Sequence, residues 1–112
     1  MKPNKSAPRE IILEPSGFLV AEFGKTVAQV SWSTIKEIFV FKQDMLTHDL
    51  ICVGFRVDNE GNNWEVTEDF VGYKDLQVEL ARRFPGIRID WFADVAFPAF
   101  VEKRTTIWGQ SL

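Results

Sequence analysis

Residues 51–68 read ICVGFRVDNEGNNWEVTE, and this stretch decides the fold class. Ile51, Val53, Phe55 and Val57 alternate with Cys52, Gly54 and Arg56, the two-residue period of a strand with unlike faces. Asp58-Asn59-Glu60-Gly61-Asn62-Asn63 is turn chemistry, with Gly61 free to take a positive φ. Trp64 to Glu68 then returns, with Trp64 and Val66 expected inward and Glu65 and Thr67 outward. A slip of one residue would carry Glu65 into the core, so the pairing register is well determined.

Strand signals continue toward the amino end. Ile11-Ile12-Leu13 is bounded by the turn residues Pro15-Ser16-Gly17, and Phe18 to Phe23 is stopped by Gly24-Lys25. Val27 to Trp32 follows, with Ala28, Val30 and Trp32 on one face. The spacing of Trp32, Ile35 and Ile38 then predicts one helical turn over Ser33 to Glu37, which Ser33 is placed to cap. Ile38-Phe39-Val40-Phe41 is apolar on both faces and reads as a strand covered on both sides. Lys42 to Asp49 reads as a loop.

On the carboxyl side, Tyr73, Leu76, Leu80 and Phe84 form one apolar stripe and predict a helix over about 72–84. Asp75 in its first turn and Arg82-Arg83 in its last match the helix dipole, and Glu79 precedes Arg83 by four residues. Pro85-Gly86 ends it. Asp90 is placed to cap a short helical turn through Val95, and Thr105 to Trp108 reads as a late strand. The expected fold is α+β: a strongly bent antiparallel sheet or roll of six to seven strands. The 72–84 helix caps it, with a short C-terminal helical turn. Residues 1–9 are expected to form a flexible tail and residues 10–112 a single globular domain.

Composition narrows the function classes. Of 112 residues 46% are apolar and 26% charged, and fifteen are aromatic, a globular composition. The formal charge is −3 and no basic stripe is present, which argues against a nucleic-acid partner. Cys52 is the only cysteine, so neither a disulfide within the chain nor a cysteine-cluster metal site can form. The first residues lack the apolar run of a signal peptide, and no segment approaches membrane-spanning length. A cytoplasmic protein with no cofactor and no membrane partner is expected.

Several segments carry a resemblance. Val30-Ser31-Trp32-Ser33-Thr34-Ile35-Lys36-Glu37-Ile38, Lys42-Gln43-Asp44, Thr47-His48-Asp49-Leu50-Ile51, Phe84-Pro85-Gly86 and Asp90-Trp91-Phe92 are similar to small bacterial proteins of a pleckstrin-homology-like type. The resemblance covers roughly residues 10–108, and it implies the bent sheet and helix without an activity. Phosphoinositide-binding members of the wider superfamily carry Lys and Arg in the loop between the first two strands. Here that loop is Pro15-Ser16-Gly17, so no phosphoinositide site is carried over. The segment after the helix also departs from the usual pattern, in which the helix closes the domain.

Candidate chemistry is sparse. His48 is the sole histidine and is flanked by Asp44 and Asp49, a grouping from which a general base of a small hydrolase could be built. No nucleophile elbow accompanies it. The same three residues make a poor metal site, because His48-Asp49 would point opposite ways on a strand. Cys52, between Ile51 and Val53, reads as an inert buried thiol. Asp58, Glu60, Glu65, Glu68 and Asp69 gather acid around one hairpin and would attract a basic partner. Phe84, Trp91, Phe92, Phe97, Phe100 and Trp108 crowd the last quarter of the chain. They are expected to plug one end of the sheet or, where exposed, to bind a partner. The leading expectation is a non-catalytic protein-interaction module, of which an acidic inhibitor or immunity-type protein is one form, with a protein partner or a second copy. A hydrolase using His48 and an apolar small-ligand binder are the alternatives.

Overall fold

The computed structural model describes residues 8–47, 49–88 and 104–112, without the side chains of Asp44 and Asp49. Seven strands form two antiparallel sheets. The first holds β1 (Arg9–Glu14), β2 (Gly17–Glu22) and β3 (Lys25–Ser31) in the order β1-β2-β3. The second holds β4 (Glu37–Asp44), β5 (Asp49–Arg56), β6 (Asn63–Thr67) and β7 (Thr105–Gly109) in the order β6-β5-β4-β7. One helix, α1 (Tyr73–Arg83), follows β6. The fold is α+β, with two separate ladders in place of one continuous bent sheet.

Each sheet is joined by short connections that its sequence dictates. β1 and β2 meet at Glu14 and Gly17, and β2 and β3 at Glu22 and Lys25. The expected hairpin forms with Val53 opposite Val66 and Phe55 opposite Trp64. The expected loop over 42–49 is shorter than its polarity implied. β4 runs on to Asp44 and pairs with Asp49, because the ladder continues past the end of the apolar run. The helical turn expected over 33–37 is a single 3-10 turn over Trp32–Thr34, and Ser33 does not cap it; the Thr34 hydroxyl donates to the Ser31 carbonyl instead. Arg9, assigned to the tail, already belongs to β1.

The inner faces of both sheets and one face of α1 share a single apolar cluster. Phe18 of β2 joins the sheets, its ring 5.0 Å from Phe55 and 5.4 Å from Trp32. Leu76 and Leu80 are fully buried and Tyr73 and Phe84 nearly so, as the stripe requires. Phe84 stands edge-on to Trp108 at 4.6 Å and to Trp32 at 6.3 Å, so Phe84 is core and Trp108 packs partly buried against it. On the surface of α1 Glu79 accepts from Arg83 and Arg82.

The outer face of the larger sheet is also covered at its centre. Ile38, Phe39 and Val40 are all buried, as expected of a strand covered twice. Phe39 occupies the space a side chain at Gly54 would need: a Cβ there would lie 2.1 Å from the ring. The Arg104 guanidinium sits 3.5 Å over the same ring.

Candidate functional site

A buried ionic clamp was not foreseen from the sequence. Glu37, at the start of β4, has no solvent exposure, and Arg56, opposite it on β5, is 4% exposed. Glu37 Oε1 accepts from Arg56 Nε at 3.1 Å and from Arg104 Nη2 at 2.9 Å, while Oε2 accepts from the Thr106 hydroxyl at 2.6 Å. Arg56 also donates to the Asp58 carbonyl and, at 2.7 Å, to the Gln110 carbonyl. Burial pushes the Glu37 carboxyl up, but the Thr106 and Arg56 hydrogen bonds and the Arg104 charge outweigh it and hold it below its ordinary value. Every side-chain polar atom of the pair has a partner, and those to Thr106, Arg104 and Gln110 tie β4 and β5 to the segment around β7, which makes the clamp structural.

The open surface lies elsewhere, where the two sheets end. β3 and β6 each form one edge of their sheets, and both border a cleft of about 400 Å³. Val27 and Ala28 line it from β3, and Trp64, Glu65 and Thr67 from β6, with Phe70 at its side. A second opening of about 290 Å³, lined by Phe23, Asp69 and Val71 among others, adjoins it through the shared residues Arg9 and Glu22. Arg9 and Glu22 form an exposed ion pair at 3.3 Å, and the Arg9 guanidinium lies 5.7 Å from the Phe70 ring centre.

Four large apolar side chains stand in solvent around these openings: Phe23 (69% exposed), Val27 (51%), Val71 (48%) and Trp64 (42%). Two of them are held there by unusual backbone. Phe23 and Gly24 are the two central residues of the β2–β3 turn and both have positive φ, 49° and 83°, as a two-residue hairpin turn demands. Asn or Gly normally fills the first position, because a side-chain-bearing residue there is strained. Val27 is the extra residue of a β-bulge: Val20 pairs with Ala28 and Ala21 with Thr26. A bulge re-aims its side chain, and here Val27 is turned into the cleft. Trp64 shares the inner face with Val66, as expected, but β6 is an edge, no described strand lies beyond it, and the residue is 42% exposed. Leu46, also with positive φ and fully exposed, belongs to a different hairpin, between β4 and β5.

The sequence-predicted residues divide unevenly. His48, Trp91, Phe92, Phe97, Phe100 and the short helical turn from Asp90 lie outside the described residues. Asp44 and Asp49 close the β4–β5 ladder as backbone partners. Asp58 is a turn-former, its Oδ1 accepting from the Glu60 and Asn62 amides at 2.9 and 3.1 Å. Glu68 Oε1 accepts the Ile51 amide at 2.9 Å, and Asp69 accepts from the Thr67 hydroxyl. Glu60 and Glu65 are exposed carboxylates in none of the ion pairs formed among the described residues. Trp108 is half-buried against Phe84. Burial pushes the Cys52 thiol up to about 11, with the charges of Glu65, Glu68 and Asp69 adding to it, so the thiolate is disfavoured.

No group of three or more His, Cys, Asp or Glu side chains among the described residues could hold a metal ion. No helix there is long and apolar enough to cross a membrane. No family model matches the chain, and neither curated proteins nor solved structures give a match.

Proposed function

We propose that the chain is a non-catalytic protein-interaction module that binds its partner across the open face between β3 and β6. One observation carries this reading: Phe23 is held in a strained backbone conformation with most of its ring in water, beside exposed Val27, Trp64 and Val71. Internal packing does not reward such an arrangement, whereas a partner that desolvates the rings would. Aromatic anchors of this kind dominate binding energy at protein interfaces. The net charge of −3 and the free carboxylates Glu60 and Glu65 favour a basic partner, the form expected of an acidic inhibitor or immunity-type protein. Seven antiparallel strands with one main helix also support the pleckstrin-homology-like reading, and the position of α1 before β7 is its point of departure.

The test is affinity purification from the native source with the wild-type chain and with a Phe23→Ser/Trp64→Ser variant as parallel baits. A partner held by the first and released by the second, with both baits folded by circular dichroism, is expected. Equal recovery of the same proteins by both baits would overturn the reading.

A further inference from the structure

The free edge of β6 has a determinate pattern of unused backbone groups. Glu68 donates its amide to the Ile51 carbonyl, and beyond the other end of the hairpin Val57 donates to the Asn62 carbonyl. In an antiparallel ladder, directly bonded pairs alternate with non-bonded ones. With 51/68 and 57/62 bonded, the bonded pairs between them are Val53/Val66 and Phe55/Trp64. The N–H and C=O groups of Asn63, Glu65 and Thr67 therefore point away from β5, and those of Glu65 and Thr67 lie along the cleft. Among the described residues the Thr67 carbonyl accepts from the Phe70 amide at 3.1 Å, and the other five of these groups have no backbone partner.

Other edges are treated differently. β1 is shielded by Val71, which accepts from the Ile11 amide at 2.7 Å and donates to the Arg9 carbonyl at 3.0 Å. β3 faces the same cleft but carries the Val27 bulge, which disfavours regular pairing. β6 is regular and, among the described residues, no backbone group pairs along its edge except the Phe70 amide at Thr67.

We propose that the partner supplies an extended segment which adds to β6 as a further strand, alternating apolar and basic side chains. This rests on the reading of the open face as a protein-binding surface and specifies its ligand. Side chains of an added strand alternate faces in step with β6. On the inner side they meet Trp64 and the bulged Val27 across the cleft, which calls for an apolar residue. On the outer side they meet the Glu65 carboxylate, which calls for Lys or Arg. Arg9, the cation lining the cleft, is already committed to Glu22, so the incoming charge meets unneutralised acid.

The experiment selects a random-peptide display library on the immobilised full chain. The best binder is then titrated, as a synthetic peptide, into isotope-labelled protein followed by NMR. Enriched peptides are expected to alternate apolar residues with Lys or Arg, and the peptide to shift the Glu65 and Thr67 amides and slow their exchange. Glu65→Pro deletes the outward N–H and leaves the β5 ladder intact, so binding falls about tenfold, the worth of one main-chain hydrogen bond. Glu65→Lys, which keeps the backbone donor, weakens binding as well and guards against a folding artefact in the proline variant. No enrichment, an acidic or helical consensus, or full affinity in a folded Glu65→Pro chain overturns the proposal. Self-association of the chain that Glu65→Pro abolishes also overturns it, since the occupant is then a second copy. A native partner released by Phe23→Ser/Trp64→Ser but unaffected by Glu65→Pro leaves the interaction module standing and removes the added strand.

Discussion

Phe23 is the residue at which local conformation and overall economy disagree. A left-handed conformation costs a side-chain-bearing residue about 1–2 kcal/mol, and Asn tolerates it better because its amide bonds locally. Phe23→Asn is therefore expected to raise stability by about 1 kcal/mol while weakening partner binding. Thermal and urea unfolding check the first effect, and a pull-down the second; a loss of stability would mean that the ring packs usefully in the free protein. The sequence reading placed Phe23 inside a strand. The signal available was the spacing of Glu22 and Lys25 around a two-residue turn, but Phe-Gly lacks the Asn that normally announces one. Cys52 was legible because alternation with apolar neighbours buries it on either face. Trp64 was legible only by half: alternation fixes the face a side chain takes, not whether another strand lies beyond it.

At the level of elements, the hairpin and the helix were the most legible parts, since each carries its own periodicity within a dozen or so residues. The Glu37–Arg56–Thr106 clamp was not. Glu37 precedes an apolar run and Arg56 follows one, positions that read as solvated strand ends. Only the return of β7 turns the site inward, with its Thr106 and the preceding Arg104 reaching Glu37 across 69 and 67 residues of sequence. Its ionisation has a definite sign. The folded carboxyl is held below its ordinary value, so the unfolded chain takes up the proton more readily. The clamp's contribution is complete above the ordinary carboxylate range and is lost as pH falls through the lowered value. Glu37→Gln leaves Arg56 without its counter-charge and is expected to cost about 3 kcal/mol at neutral pH. The difference from wild type should shrink on acidification to about pH 3, as read by urea midpoints across pH. A gap that stays constant with pH would show that the carboxylate charge is not what stabilises the sheet.

At the scale of the whole molecule, a net charge of −3 is combined with an opening between β3 and β6 that both Trp64 and Glu65 line. Association with a basic segment is then steered over a distance as well as clasped at contact. The association rate is expected to drop on the order of tenfold from low to physiological salt, with a smaller change in dissociation. Stopped-flow tryptophan fluorescence with the selected peptide would measure both, and a salt-independent rate would assign Glu60 and Glu65 no part in encounter. At this scale the sequence conveyed the α+β class and the number of strands. The division into two ladders was hidden, because short turns reveal which strands are neighbours in the chain and not where hydrogen bonding stops.

The clamp's reach also sets an order of assembly. The first six strands join through short links and can pair as they leave the ribosome, but one flank of β4 stays bare until residues 105–110 emerge. Until then Glu37 and Arg56 face each other in a half-built sheet, with a sticky margin where β7 will dock. The nascent chain is open to misassociation along that margin until β7 is delivered.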